Sequence, residues 1–117
     1  MSEKQKLLIV DDSELNRDIL KEILGSSYDY LEAENGTQAI QILEVHPEID
    51  LMLLDINMPQ MNGFQVLEHM REFQWIDEVP VVMISSEESV EIMRKAYDLG
   101  ITDYISRPFD AVIVKKR

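Results

Sequence analysis

The hydrophobic positions of the chain form short runs separated by longer, less apolar segments. Three compact runs are Leu7 to Val10, Leu51 to Leu54 and Val79 to Ile84. Continuous apolar runs of this length are typical of strands that are buried on both faces, as in parallel sheets. Tyr28 to Ala33 and Thr102 to Ser106 are less apolar and complete a set of five predicted strands.

Apolar residues recur at helical spacing in the segments between these strands. The four groups are Leu15, Ile19 and Ile23; Ile40 and Leu43; Phe64, Leu67 and Met70; and Val90, Met93 and Tyr97. The fourth helix is predicted to span Glu87 to Leu99, with Gly100 as its C-terminal stop. Strands that alternate with helices predict an α/β fold, with a parallel sheet covered on both faces and right-handed crossovers.

A fifth helix is predicted after Pro108, but it has room for only about two turns, from Asp110 to Arg117. The chain has 117 residues, 45% of them hydrophobic, which is enough for one ordinary core and not for two. We therefore expect a single domain over residues 1–117, excised from a longer multidomain protein.

The charge and the residue types exclude several classes of function. The chain has 23 acidic and 11 basic residues, a formal net charge of -12, and no cysteine. The acidic surface opposes binding to nucleic-acid phosphates and anionic lipids, and the lack of cysteine leaves no disulfide or thiolate metal site. The apolar runs are too short for a membrane span or a signal-peptide core. We expect a cytoplasmic protein that does not itself bind DNA or a membrane.

Polar side chains follow four of the predicted strands, at the sheet edge where open α/β sheets bind their ligands. Asp11 and Asp12 follow the first strand, Asp55 the third, Ser85 and Ser86 the fourth, and Arg107 the fifth. Three carboxylates at one edge repel one another unless a cation compensates them. Oxygen ligands without nearby His or Cys favour Mg²⁺, and a shielded aspartate can act as a nucleophile toward phosphorus. We expect the three carboxylates to share one pocket.

Each of these residues also has a purely structural explanation. Asp11, Asp12 or Ser13 could cap the first helix. Ser85 could cap the helix that follows it, and Arg107 could neutralise the acidic loop. The complete set at one edge favours a metal-bound carboxylate site over these separate explanations.

The ordered set of residues at the strand ends resembles the response regulator receiver domain. The matching residues are Asp11-Asp12, Asp55 with Met58-Pro59 and Gly63, Ser85, and Asp103 to Phe109. The resemblance covers nearly the whole chain, up to a truncated last helix. It implies a flavodoxin-like, doubly wound, five-stranded parallel sheet of order 2-1-3-4-5, a (βα)5 fold. The strand order comes from the family, not from the hydrophobic pattern.

The resemblance implies that a sensor histidine kinase donates a phosphoryl group to Asp55. Asp12, Asp55 and the backbone carbonyl of Asn57 would bind Mg²⁺ or Mn²⁺, and Asp11 would ligate the ion directly or through water. Ser85 would bind a phosphoryl oxygen. In this interpretation the domain is not an enzyme beyond phosphotransfer to itself and slow autodephosphorylation.

The resemblance also implies a conformational switch. When Ser85 moves, Tyr104 would turn inward and change the face formed by helix 4, strand 5 and helix 5. The same face could support a homodimer. Tyr104 could instead be an ordinary half-buried strand aromatic. Asn57 and Glu87 occupy positions that tune dephosphorylation in the family, and Gly63 is interpreted as a residue that permits a turn.

The output of the protein is expected to lie beyond this segment. The sequence from Arg107 to Arg117 looks like receivers that are joined to domains for cyclic-di-GMP turnover. We therefore expect a C-terminal output domain.

One residue departs from the family pattern. Arg107 stands where the family has a lysine before the Pro-Phe pair. Because arginine is a planar, bulkier fork than the compact ammonium of lysine, we expect pairing with an aspartate of the cluster but weaker or altered coupling to the switch. The exchange also supports an alternative, a pseudo-receiver that uses the same fold as a phosphorylation-independent protein-interaction module.

Two further classes fit the residues less well. Haloacid-dehalogenase-like phosphatases need a second acidic residue two positions after the nucleophilic aspartate, where Asn57 cannot act as a general acid. A flavodoxin-like cofactor binder needs a first loop that cradles phosphate. The loop Asp11-Asp12-Ser13-Glu14 repels that ligand instead.

Overall fold

The computed structural model of the chain describes residues 4–56, 58, 61–85 and 89–106. Within these ranges five strands alternate with four α-helices. The strands are β1 (Gln5–Val10), β2 (Tyr28–Ala33), β3 (Leu51–Asp55), β4 (Val81–Ser85) and β5 (Asp103–Ser106). The helices are α1 (Glu14–Leu24), α2 (Gly36–Val45), α3 (Gly63–Glu72) and α4 (Val90–Asp98), with a 3₁₀ turn at Trp75–Asp77.

The five strands form one parallel sheet in the order β2-β1-β3-β4-β5. This confirms the predicted flavodoxin-like fold and its 2-1-3-4-5 order. From β1 the chain first runs outward to β2 on one side and then crosses to β3 on the other side. The strand order therefore reverses between the carboxyl ends of β1 and β3, where an open α/β sheet places its ligand.

The two faces of the sheet bury separate apolar clusters, because successive side chains of a strand point to opposite faces. One face buries strand residues Leu8, Val10, Met52, Leu54, Val81 and Met83 against side chains of α2, α3 and α4. The other face buries Ile9, Leu53, Val82, Ile84 and Ile105 with Leu20 of α1. Helices on both faces confirm the predicted double-wound arrangement.

Helix α1 buries a different face from the one that its apolar spacing predicts. Leu15 is 68% exposed and Ile19 is at the surface, while Ile23 is half-buried. The buried residues of α1 are Leu20 and Arg17. The apolar spacing located the helix but not its buried face, because Arg17 is buried with Nε and Nη1 hydrogen-bonded to neighbouring elements.

Helix α4 shows a similar difference. Val90 and Tyr97 of the predicted face are exposed, while Ala96 is buried, and Ile92 and Met93 pack against the core. The helix begins at Val90, after its N-cap residue Ser89, and not at Glu87 as predicted. Its predicted stop is confirmed, since Gly100 has a φ of 107° in the left-handed region.

Strand β4 begins two residues later than the apolar run. The Val79 amide donates to the Trp75 carbonyl at 3.0 Å, so it bonds to the preceding turn and not to a neighbouring strand. Pro80 has no amide hydrogen for the ladder, and its carbonyl accepts a bond from the Met52 amide. The fifth helix predicted at Asp110 to Arg117 lies outside the described residues.

Among the described residues, no helix combines the length and apolarity required to cross a bilayer.

Candidate functional site

The strand register brings the predicted site residues to one edge of the sheet. Val10 of β1 pairs with Leu54 of β3, so the following residues, Asp11 and Asp55, lie side by side. Asp55 in turn pairs with Ile84 of β4, immediately before Ser85. The edge therefore collects the residues that end β3 and β4 and the residue that follows β1.

The three aspartates of this edge form a cluster that could hold a cation. Asp11, Asp12 and Asp55 each offer a carboxylate oxygen, and the three oxygens lie within 4.8 Å of one another. Asp11 and Asp55 are buried, with 1% and 4% of their surface exposed, whereas Asp12 is exposed. Two buried carboxylates so close together repel each other strongly unless positive charge is nearby.

The donor set of this cluster fits a hard cation. The sequence has no cysteine and two histidines. His46 lies beside Glu48, with 2.9 Å between Nδ1 and the carboxylate, and His69 stacks with Phe73 and Trp75. Both histidines are thus engaged elsewhere. Carboxylate ligands favour Mg²⁺ or Mn²⁺ over softer transition metals.

The loop after β1 is fixed by a chain of hydrogen bonds. The Asp11 amide donates to the Ala33 carbonyl at 3.1 Å, and Asp11 Oδ1 accepts from the Ser13 amide at 2.9 Å. Ser13 is the N-cap residue of α1, because its Oγ accepts from the Asn16 amide at 3.2 Å. Of the three capping candidates, Ser13 caps the helix, and both aspartates belong to the acidic cluster.

The main chain of Asp55 lies against the start of α3. A Cβ atom at Gly63 would lie 2.6 Å from the Asp55 carbonyl oxygen, and the Gly63 amide donates to the Ile56 carbonyl at 2.8 Å. Asn62 and Gln65 form a capping box at the same helix end. The lack of a side chain at Gly63 lets α3 approach the acidic residue closely.

Ser85 and Tyr104 lie on the β4 and β5 side of the cluster. Ser85 ends β4 and is buried, and the N-cap residue of the next helix is Ser89, so Ser85 is not its cap. Tyr104 pairs with Met83 and is buried in the same core cluster. Met83 and Ser85 lie on the same face of β4, because successive side chains of a strand alternate between its faces. Ser85 therefore lies on the same face of the sheet as Tyr104.

Several predicted residues lie outside the described part of the chain. They are Asn57, Pro59, Ser86, Glu87 and Arg107. The expected roles of Asn57 as a backbone ligand and of Arg107 as the cation of the site therefore stay predictions.

Sequence analysis missed one residue next to the cluster. Arg17 of α1 is buried and donates from Nη1 to the Asp11 carbonyl at 2.6 Å. A signal was present, because Arg17, Leu20 and Leu24 share one helix face at spacings of three and four residues. A basic residue within such a stripe is usually interpreted as surface, so the pattern did not identify it.

A parallel sheet with acidic residues at its switch point and a buried serine at the end of the next strand has the ligand-binding arrangement of an open α/β protein, and comparisons with known proteins identify the family. The sequence profile of the response regulator receiver domain matches residues 7–117. Over 114 residues the chain is 34% identical to the chemotaxis protein CheY1 of Helicobacter pylori, with coverage of 96% of this chain and 92% of that protein. The chain belongs to the response regulator receiver domain family.

Two further relatives extend the comparison. A probable cyclic di-GMP phosphodiesterase of Vibrio cholerae is 33% identical over 111 residues, which cover 95% of this chain and 25% of that protein. The crystal structure of the CheX-CheY-BeF3-Mg complex of Borrelia burgdorferi has a TM-score of 0.88 at 30% identity, with 96% of this chain and 84% of that chain covered. Receiver domains are signalling phosphoacceptors and not conventional enzymes.

Proposed function

We propose that this receiver domain accepts a phosphoryl group on Asp55 with the help of a divalent cation. The observation that supports the proposal is the cluster of Asp11, Asp12 and Asp55, whose carboxylate oxygens lie within 4.8 Å of one another. Such a cluster needs a compensating cation, and its oxygen ligands suit Mg²⁺. Asp12, Asp55 and the backbone carbonyl of Asn57 would hold the ion, with Asp11 as a direct or water-mediated ligand.

In the proposed reaction a carboxylate oxygen of Asp55 attacks the phosphorus of a phosphohistidine. The oxygen–phosphorus bond forms as the nitrogen–phosphorus bond breaks, and the released imidazole takes up a proton from solvent. The bound cation would neutralise charge on the phosphoryl oxygens. Ser85 would donate its hydroxyl to one phosphoryl oxygen, and Arg107 would supply a second positive charge. Slow attack of water on the phosphorus of the acyl phosphate would break its bond to the Asp55 oxygen, release inorganic phosphate and return Asp55 to its free carboxylate.

The buried position of Asp55 favours its role as acceptor. Asp55 belongs to the central strand β3, between two paired strands, and has 4% of its surface exposed. Its carboxylate is therefore held by a rigid scaffold, while Asp12 in the loop is exposed. A fixed nucleophile loses less conformational freedom when it reacts.

Partners and output are part of the same proposal. A sensor histidine kinase would be the donor, and phosphorylation would change the face of α4, β5 and the helix predicted from Asp110 to Arg117 through Ser85 and Tyr104. The cyclic di-GMP phosphodiesterase relative supports an output domain of cyclic-di-GMP turnover. The same face would also form the contact of a homodimer.

The test is phosphorylation by a small phosphodonor with Mg²⁺, followed by intact mass spectrometry. The native chain is expected to gain one phosphoryl group, and Asp55→Asn to gain none. Asp50→Asn is the matched control, because Asp50 is an exposed aspartate that precedes β3 at the opposite edge of the sheet.

Arg107→Lys is expected to change the coupling of phosphorylation to the structural response. Equal rates and equal responses in Arg107→Lys and the native chain would remove that part of the proposal.

Binding of Mg²⁺ and then beryllofluoride separates a phosphoacceptor from a pseudo-receiver. The backbone amides should be followed by NMR, since the only tryptophan of the sequence, Trp75, lies beside Leu43 and His46 and precedes β4, far from the acidic edge. Responses to both ligands at the carboxyl edge support the proposal. An unchanged spectrum would identify a phosphorylation-independent module.

A further inference from the structure

A buried arginine of α1 is bonded to the first residue of the acidic cluster. The Arg17 side chain is 8% exposed and makes two hydrogen bonds to different elements. Its Nη1 donates to the Asp11 main-chain carbonyl at 2.6 Å, and its Nε donates to Glu32 Oε1 of β2 at 2.9 Å. The planar guanidinium therefore links α1 to the end of β1 and to β2.

The Asp11 carbonyl lies where the sheet ladder ends. The paired register of β1 with β3 stops at Val10, one residue before Asp11. A buried carbonyl needs a hydrogen-bond donor, and Arg17 supplies one from the helix that follows. The Asp11 amide donates to the Ala33 carbonyl, and Asp11 Oδ1 accepts from the Ser13 amide. Hydrogen bonds thus fix the carbonyl, the amide and the carboxylate of Asp11.

We propose that Arg17 is a positioning residue for the divalent-cation site: by fixing the Asp11 peptide, it holds the Asp11 carboxylate toward Asp12 and Asp55. This inference rests on the proposed function. The conformation of the Asp11 main chain determines where its carboxylate points, and the turn to the Ser13 amide transmits that constraint to the side chain. Residues that orient metal ligands from behind are required for full metal affinity.

The charge of Arg17 is balanced on the side away from the cluster. Burial would raise the pKa of Glu32, but hydrogen bonds from Lys21 and Arg17 outweigh burial and keep the pKa below its ordinary value. Glu32 is therefore charged at neutral pH and pairs with both cations. The role of Arg17 toward the site is thus geometric, and Glu32 prevents an unpaired buried charge.

The direction of the change in Mg²⁺ affinity tests this role. Arg17→Met and Lys21→Met each remove one positive charge and one bond to Glu32, but only Arg17→Met removes the bond to Asp11. Electrostatics predicts tighter Mg²⁺ binding for both variants, because a nearby cation repels the ion. Positioning predicts a dissociation constant about tenfold higher or more for Arg17→Met. Lys21→Met should bind Mg²⁺ as tightly as the native chain or slightly more tightly.

The measurement is an NMR titration of each full chain with Mg²⁺ alone, with denaturant unfolding measured in parallel. Leu20→Val is the control for stability, because Leu20 is buried in the same helix face and its change should lower the unfolding midpoint without weakening Mg²⁺ binding. Arg17→Lys keeps the charge but not the planar fork, and should bind Mg²⁺ less tightly than the native chain even if Arg17→Met does not fold.

The results separate the two proposals. If the native chain does not bind Mg²⁺, the proposed function fails and this inference fails with it. If the native chain binds Mg²⁺ and both Arg17 variants bind it equally well or more tightly, the proposed function stands and the positioning role is overturned. Weaker binding in Leu20→Val would also overturn it, because loss of stability would then explain the effect.

Discussion

Gly63 shows how one residue can control the position of a functional neighbour. Its φ does not lie in the left-handed region, so the position requires glycine for space and not for a special turn. A Cβ there would lie 2.6 Å from the Asp55 carbonyl oxygen and 2.9 Å from the Ile56 Cα. Main-chain atoms cannot rotate away as a flexible side chain can. The sequence-based interpretation of Gly63 as a turn residue therefore missed its packing role.

We predict that Gly63→Ala lowers the free energy of unfolding by roughly 1–3 kcal/mol, the usual cost of an added group in a packed site. Because the new methyl group pushes against Asp55, the variant should also weaken Mg²⁺ binding. Denaturant unfolding and an NMR titration with Mg²⁺ measure the two effects.

Gly25→Ala is the control for this prediction. Nothing lies within 4 Å of a Cβ at Gly25, but its φ of +93° is unfavourable for alanine. This variant should lose about 1–3 kcal/mol from backbone strain and keep native Mg²⁺ affinity. If Gly63→Ala binds Mg²⁺ like the control, the contact with Asp55 does not govern the site.

At the scale of elements, three of the four described α-helices begin with a residue whose side chain caps the helix. Ser13, Asn35 and Asn62 cap α1, α2 and α3 through their side-chain oxygens. At α3 the capping box is complete, since the Asn62 amide also donates to the Gln65 side chain at 2.9 Å. This cap fixes the start of α3, which lies against Asp55.

We predict that Asn62→Ala destabilises the protein by about 1 kcal/mol, the typical value of an N-cap side chain. In the native protein the Gln65 amide donates to Asn62 Oδ1 at 3.0 Å. The substitution removes this acceptor, which causes the loss of stability. Thermal or denaturant unfolding measures it. Ser89→Ala is a suitable comparison, since Ser89 makes no side-chain cap bond among the described residues. Equal losses in both variants would contradict the prediction.

At the scale of the whole molecule, the two edges of the sheet differ in how their charges are arranged. The carboxyl edge gathers the carboxylates of Asp11, Asp12 and Asp55, while the amino edge includes an ion pair within the chain. There, Lys6 Nζ lies 2.8 Å from Glu48 Oε2, and His46 lies on the same carboxylate. These contacts join β1 to the connection between α2 and β3.

We predict that this amino-edge network adds to the free energy of unfolding while Glu48 is charged, and that the contribution is lost at acidic pH. Hydrogen bonds from Lys6 and then His46 lower the pKa of Glu48 from 4.5 to about 2. A lowered pKa means that the contribution is fully present above pH 4.5 and is lost as the pH falls through about 2. Both partners are exposed, so the effect is small and should weaken with salt.

The measurement is the unfolding midpoint of the native chain and of Glu48→Gln between neutral and acidic pH. The native chain should be more stable near neutrality, and the difference should vanish below about pH 2. Glu44→Gln, which changes an exposed glutamate of α2, is the control. A difference that does not depend on pH would exclude the ion pair as its source.

The sequence by itself determined the parts of the structure that depend on local pattern. The short apolar runs gave strands buried on both faces, and the residues that follow them gave the acidic edge, because parallel strands end at one edge of a sheet. Asp11, Asp12 and Asp55 could be predicted to meet for that reason. Ile40 and Leu43 could likewise be placed in the core from their spacing.

Only the tertiary structure decided which face of α1 is buried, why position 63 requires glycine and which hydrogen bonds fix the position of Asp11. Each of these depends on a partner from another element. Arg17 bonds to the carboxylate of Glu32 and to the carbonyl of Asp11, and Gly63 lies against the main chain of Asp55. A polar group can be buried when a distant segment satisfies its hydrogen bonds, and a position requires glycine when another backbone approaches it. Local periodicity contains neither kind of information, since both arise when the chain packs.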